Sequence, residues 1–134
     1  IYTLQYTRKK YANKDLTWFH LRDYLEKAIE EKEFEIMDHA ASFHAIQHVG
    51  LGRFGDPLAP FGDLETMQII HCMIKPYGLF FLELPTSSEN KSYIEFNAHR
   101  IYGTYRLNML FRGWRLIERF TDNLFLLQKI ESPF

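Results

Sequence analysis

The residues of this chain whose types and spacing could do chemistry fall in two clusters. The first, HAASFHAIQHVGLGRFGDP over residues 39–57, carries His39, His44 and His48, then Gly50, Gly52 and Gly55 around Arg53 and Asp56. Glycines at that density suit a backbone that turns with positive φ or approaches a ligand closely. The second cluster, residues 97–103, reads NAHRIYG and supplies Asn97, His99, Arg100 and Tyr102. Imidazoles offer proton transfer, arginine offers a planar fork for a carboxylate or phosphate, and amide and phenol groups offer hydrogen bonds.

Each cluster also admits a purely structural reading. Arg53 and Asp56 either form an ion pair that braces the turn or leave Arg53 to bind an anion. Asn97 either meets a ligand or caps a helix, with Arg100 pairing to Asp56 or Asp63. Inside a strand His39 reads as a hydrogen-bonded histidine of the core or an interface, whereas His48, where the loop begins, is the better functional candidate. The histidine spacing lacks the i, i+4 helical pair and no HExxH follows, so no metal is expected. GLGRFG lacks the G-x-G-x-x-G order and runs into Asp-Pro instead of a helix, which argues against a dinucleotide phosphate loop. No Ser-His-Asp order, Walker loop or paired-carboxylate spacing competes with the two clusters.

The elements that must position these residues follow from periodicity. Residues 1–6, 34–43, 79–84, 114–120 and 124–130 read as strands, with a short one in 92–96. Residues 16–20 suit either a strand or the first turn of a helix. Leu21, Tyr24, Leu25, Ala28 and Ile29 share one helical face. Asp63 is placed as the N-cap of a second helix with Leu64, Met67, Ile70 and Ile74 on its buried stripe, and Pro76 closes that segment. Gly103, Leu107, Leu110 and Phe111 keep helical spacing, and Gly113 ends it. The apolar run at 79–84 suits a strand buried on both faces. This alternation predicts an α/β fold, a mostly parallel sheet with an antiparallel C-terminal edge, whose ligands bind beyond the carboxyl ends of the strands.

At 134 residues, 46% hydrophobic and 16% aromatic, the chain suits one domain over residues 1–134 with a substantial core. A net charge of -1 with scattered basic residues gives no reason to expect nucleic acid. Cys72 is the single cysteine, which excludes an internal disulfide, and its apolar neighbours predict a buried structural thiol. No run approaches the roughly 18 apolar residues of a membrane span. The first residue, Ile1, already lies in a strand-like segment, so the chain reads as a piece of a longer one.

Several boxes together resemble an uncharacterised family prominent in nematodes: QHVGLGRFGDP at 47–57, GDL at 62–64, IKPYGL at 74–79 and NAHRIYG at 97–103. That family is similar in fold to class I S-adenosylmethionine-dependent methyltransferases. The resemblance implies a Rossmann-like sheet in which residues 1–6, 34–43 and 79–84 are the second, fourth and fifth strands, and in which the first strand and its glycine-rich cofactor loop are missing. It implies His48 or His99 as general base, Arg53, Asp56, Asn97, Arg100 and Tyr102 at a small polar or anionic acceptor, and Gln5 and Ser42 beside S-adenosylmethionine. Two departures favour a partial or cofactor-defective member, a pseudoenzyme. Gln5 stands where an acidic residue usually holds the cofactor ribose, and Gln47 and His44-Ala45 replace the family's Glu and paired serines. The alternative is a non-catalytic binding module for an anionic or sugar-like ligand.

Overall fold

The computed structural model describes residues 2–5 and 14–130. Strands β1 (Tyr2–Gln5) and β2 (Thr17–His20) pair in parallel as a two-stranded sheet, and helix α1 (Leu21–Glu31) follows β2 directly. Then come β3 (Met37–Phe43), a 3-10 turn (Ile46–His48), α2 (Gly62–Met73), β4 (Ile74–Glu83), β5 (Tyr93–Ile94), β6 (Arg100–Ile101), α3 (Thr104–Leu110), β7 (Trp114–Arg119) and β8 (Leu124–Lys129). The larger sheet has the order β3-β4-β8-β7, and β5 and β6 form a separate antiparallel ribbon.

The α/β class expected from the sequence is the one observed. The sheet, however, is mixed and not mostly parallel. Only β3 and β4 pair in parallel within it, while β8 runs antiparallel to both β4 and β7. A short turn at residues 121–123 joins β7 to β8, and a connection that short forces antiparallel pairing. Residues 16–20, ambiguous in the sequence, hold strand β2. The expected strand over 1–6 is described only as β1, since Ile1 and Tyr6 lie outside the described residues.

The core forms where one face of the larger sheet meets α2 and α3. Phe80, Leu82, Leu84, Phe125, Leu127 and Trp114 pack there against Met67, Leu107 and Leu110. A smaller cluster joins α1 to α2 through Tyr24, Ala28 and Met73. The expectation that 79–84 is buried on both faces is corrected by the pleat. Phe80, Leu82 and Leu84 are fully buried, but Phe81 between them is 37% exposed and stacks on Phe120 at 6.4 Å. Cys72 is exposed, contrary to the buried thiol expected, because α2 turns that position away from the sheet.

The IKPYG segment does not stop at Pro76. β4 starts at Ile74, and its register with β3 jumps from Met37↔Ile74 to His39↔Leu79, so residues 75–78 oppose Asp38 alone. Such a bulge tolerates a proline inside a strand, since the ladder is already interrupted there. Tyr77 takes φ +63°, and its carbonyl accepts from Gln128 at 3.1 Å. Lys75 bonds the Asp38 carboxylate across the bulge at 2.7 Å, which lowers the Asp38 pKa. A Cβ on Gly78 would meet Ile74 Cγ2 at 2.4 Å and the Asp38 carbonyl oxygen at 2.6 Å. Gly78→Ala is therefore expected to destabilise the fold by about 1–3 kcal/mol, read as a lower urea midpoint with an unchanged slope.

Candidate functional site

The long loop between the 3-10 turn and α2 is held from behind by a buried charged cluster. Asp63, in the first turn of α2, is completely buried. Its carboxylate takes both faces of a guanidinium fork, Arg106 Nε at 2.9 Å and Nη2 at 2.6 Å, and the Tyr102 hydroxyl donates to it at 3.1 Å. Arg100 Nε lies 3.7 Å away. Asp63 is thus not the N-cap expected. Phe61 occupies that position without a side-chain bond, and the carboxylate serves the helix from within its first turn, where the macrodipole favours an anion.

Arg100 is 2% exposed, and its remaining donors reach the carbonyls of Gln47, Val49, Ala59 and Pro60. Those four carbonyls flank the two ends of the glycine loop, so one side chain clasps both. A second clasp lies inside the loop. Asp56 Oδ2 accepts from the Gly50 amide at 2.6 Å and its Oδ1 from the Phe54 amide at 3.4 Å, while the Ala59 amide donates to the Gly50 carbonyl at 2.9 Å. Gly50 has φ +80°, and a Cβ there would sit 2.2 Å from the Ala59 carbonyl oxygen. Bracing of the turn thus falls to Asp56 and backbone amides, without an Arg53–Asp56 ion pair. Arg100 does pair with Asp63, one of the two partners the sequence allowed.

The outer side of the loop meets the β5–β6 ribbon at one carbonyl. Ala98 O accepts from His48 Nδ1 at 3.0 Å and from Arg53 Nη1 at 3.2 Å. Because a carbonyl only accepts, His48 carries its proton on Nδ1, which leaves Nε2 as the free acceptor. His99 repeats the pattern, with Nδ1 on the Arg100 carbonyl at 3.0 Å. The two rings meet edge-to-face with centroids 5.7 Å apart, and Phe54 packs on the other side of His48 at 5.2 Å. Glu95 Oε2 is 4.0 Å from His99 Nε2. Burial pushes the His48 pKa below the usual histidine value, opposed by its bond to Ala98 and reinforced by His99, Arg53 and His44.

The structure therefore divides the expected site residues. His48, His99 and Arg53 come together at the rim. Arg100, Tyr102 and Asp56 lie behind it, buried and committed to the loop and to Asp63. Burial first, and then Asp63, raise the Tyr102 pKa far above its ordinary value, so this phenol stays neutral. Asn97 is exposed at φ +52° in the β5–β6 turn and caps no helix; Asn90 Oδ1 instead accepts from the first amide of α3, Thr104, at 2.7 Å. Ser42 is half-buried in β3, and Gln5 ends β1 opposite His20. His39 is exposed in β3, where its Nδ1 accepts from the Leu79 amide at 3.4 Å. His44, at φ +49°, bridges Gln47 Nε2 at 3.2 Å and Glu83 Oε1 at 3.4 Å. Sequence reasoning missed Arg106 and Glu95. Arg106 carried one signal, a charge beside the apolar stripe of α3.

Among the described residues no group of three or more histidine, cysteine or carboxylate side chains could hold a metal ion, and no helix is long and apolar enough to cross a membrane. What the fold and rim define is an α/β domain with a mixed sheet, in which a glycine loop carries a histidine and an arginine. The chain belongs to the family DUF268, described as a Caenorhabditis protein of unknown function, whose match runs over residues 4–132. The search of curated proteins found no match.

Asp63→Asn would leave two guanidiniums facing a neutral amide, an expected loss of about 3–5 kcal/mol in denaturant unfolding. Burial also lowers the His71 pKa. With two histidines titrating lower in the fold than in the unfolded chain, the unfolded state binds more protons between the two pKa values. Stability is thus expected to fall as pH drops below about 6.5, the unfolded histidine value. Thermal melts from pH 7.5 to 5.5 and imidazole chemical shifts check this, and a His48 midpoint above the unfolded value would contradict it.

Proposed function

We propose that this is a methyltransferase-like domain that has lost its cofactor chemistry and keeps an acceptor site at the rim. The observation that carries this reading is His48. Its Nδ1 proton is pinned on the Ala98 carbonyl, and its lowered pKa keeps the ring neutral near pH 7, so Nε2 stands ready to accept a hydroxyl proton or hydrogen bond. His99 stands 5.7 Å away as the neighbouring group. Arg53 is exposed and meets no carboxylate among the described residues, so it can orient a small polar or anionic molecule. Asn97 at the tip of the ribbon adds an amide.

Support for the methyltransferase-like fold comes from the parallel pairing of β3 with β4, the strands the resemblance makes fourth and fifth, and from the antiparallel β8 near the C-terminus. The loss of cofactor chemistry in this reading rests on a residue type. Gln5 ends β1 where the resemblance would put an ionised carboxylate on the ribose hydroxyls, and a neutral amide cannot act as that charged acceptor. No step is therefore routed through S-adenosylmethionine.

A second reading, a binding module for an anionic or sugar-like ligand with no reaction at all, is favoured by the unpaired state of the exposed Arg53. Calorimetry at millimolar S-adenosylmethionine separates an active enzyme from both readings: no heat is expected, and tight saturable binding would restore the enzyme. For the rim, His48→Asn is expected to remove binding of hydroxyl-bearing ligands, and Arg53→Gln to weaken anionic ones by about tenfold. Equal loss for uncharged ligands in Arg53→Gln would count against its assigned role.

A further inference from the structure

Between the end of the glycine loop, the β5–β6 ribbon and α3 lies an open pocket of about 130 Å³. Pro60, Tyr93, Ile94 and Ile101 give it apolar walls, and Ser92, Arg100 and Arg106 give it polar ones. It shares no residue with the His48–Arg53 rim. Behind it sits the Asp63 cluster, where two guanidiniums, Arg100 and Arg106, face one carboxylate. That leaves one positive charge without an acidic partner among the described residues, in surroundings where an uncompensated charge is costly.

The two arginines carry that excess differently. Arg100 is solvated internally by four loop carbonyls and lies 98% buried, since it is 2% exposed. Arg106 is the outer one, with a side chain 21% exposed. Its Nε and Nη2 are taken by Asp63 and the Pro60 carbonyl, and Nη1 has no partner among the described residues. Beside it the Ser92 oxygen accepts from the Gly103 amide at 3.0 Å, which leaves its hydroxyl proton free to donate.

We infer that this pocket binds a small organic carboxylate with an apolar tail. The carboxylate meets Arg106 Nη1 and the Ser92 hydroxyl and compensates the surplus charge, while the tail lies on Pro60, Tyr93, Ile94 and Ile101. Phosphate matches the charge but not the walls, so the pocket selects against it.

The test is a two-dimensional amide NMR titration of the full chain with sodium benzoate at constant ionic strength. Saturable shifts are expected at Ser92, Tyr93, Ile94, Ile101 and Arg106, with millimolar affinity, and phosphate is expected to bind at least about tenfold more weakly. Ile94 is 60% exposed, so Ile94→Trp should fold normally while filling the mouth, and it is expected to weaken benzoate by at least about fivefold. Benzoate shifts at these five amides are expected to saturate with one affinity whether or not the rim amides of His48, Arg53 and His99 also move, which keeps this pocket distinguishable from the rim. Shifts that rise linearly without saturating, phosphate matching benzoate, or an Ile94→Trp protein that binds as well as the parent would each overturn the inference.

Discussion

The constraint on which the candidate site depends is the burial of Asp63. A carboxylate with no solvent contact is tolerable only when its oxygens are bonded to charged or polar donors, and it recruits Arg106 and Tyr102 to do so. Those partners come from the far side of the β5–β6 ribbon, so satisfying Asp63 draws α2, β6 and α3 to one point. Arg100, brought to the same place, turns its surplus donors on the carbonyls at both ends of the glycine loop. The loop's shape is thus settled from beneath, chiefly by Asp63 and Arg100, which are almost wholly withdrawn from solvent.

The rim is built on the opposite side of the same loop and by different means. Its histidines are fixed by backbone carbonyls of the ribbon, and Arg53 shares one of them. Two layers result: an inner one of strong, buried charge pairs that sets position, and an outer one of neutral or exposed groups that is open to a ligand. Desolvation has opposite uses in the two. In the inner layer it makes the ion pairs obligatory, and in the outer it keeps His48 uncharged and basic at its free nitrogen.

Much of the fold was legible in the sequence because it follows from local period and punctuation. The three helices, the C-terminal hairpin and the strand leading into the glycine loop lie close to where alternation and glycine place them. The antiparallel C-terminal edge was legible, but that it makes up most of the sheet, with β3 and β4 its one parallel pair, was not, because strand direction depends on which neighbour a strand pairs with. The bulge at residues 75–78 was read as a helix end, since proline and glycine punctuate both. In the site, the sequence grouped the right two boxes but could not sort their members into inner and outer layers. Arg100 and Arg53 are the same residue type in equally polar boxes, and the position of Asp63 makes one a buried clasp and leaves the other exposed, with no carboxylate partner among the described residues.

The anchoring of His48 and Arg53 on the carbonyl of Ala98 has a consequence for how this surface can drift over generations. A carbonyl is common to all residue types, so the side chain at position 98 is not what holds the histidine. The burden passes to the neighbouring bend, where Asn97 adopts φ +52° and the Ala98 amide closes on the Glu95 carbonyl at 3.1 Å. Substitutions at 98 are thus cheap as long as residue 97 accepts a left-handed conformation, for which asparagine and glycine are suited. In descendants of this chain, variation is free to accumulate in the residue that touches the site most directly, while its plainer neighbour is held in place.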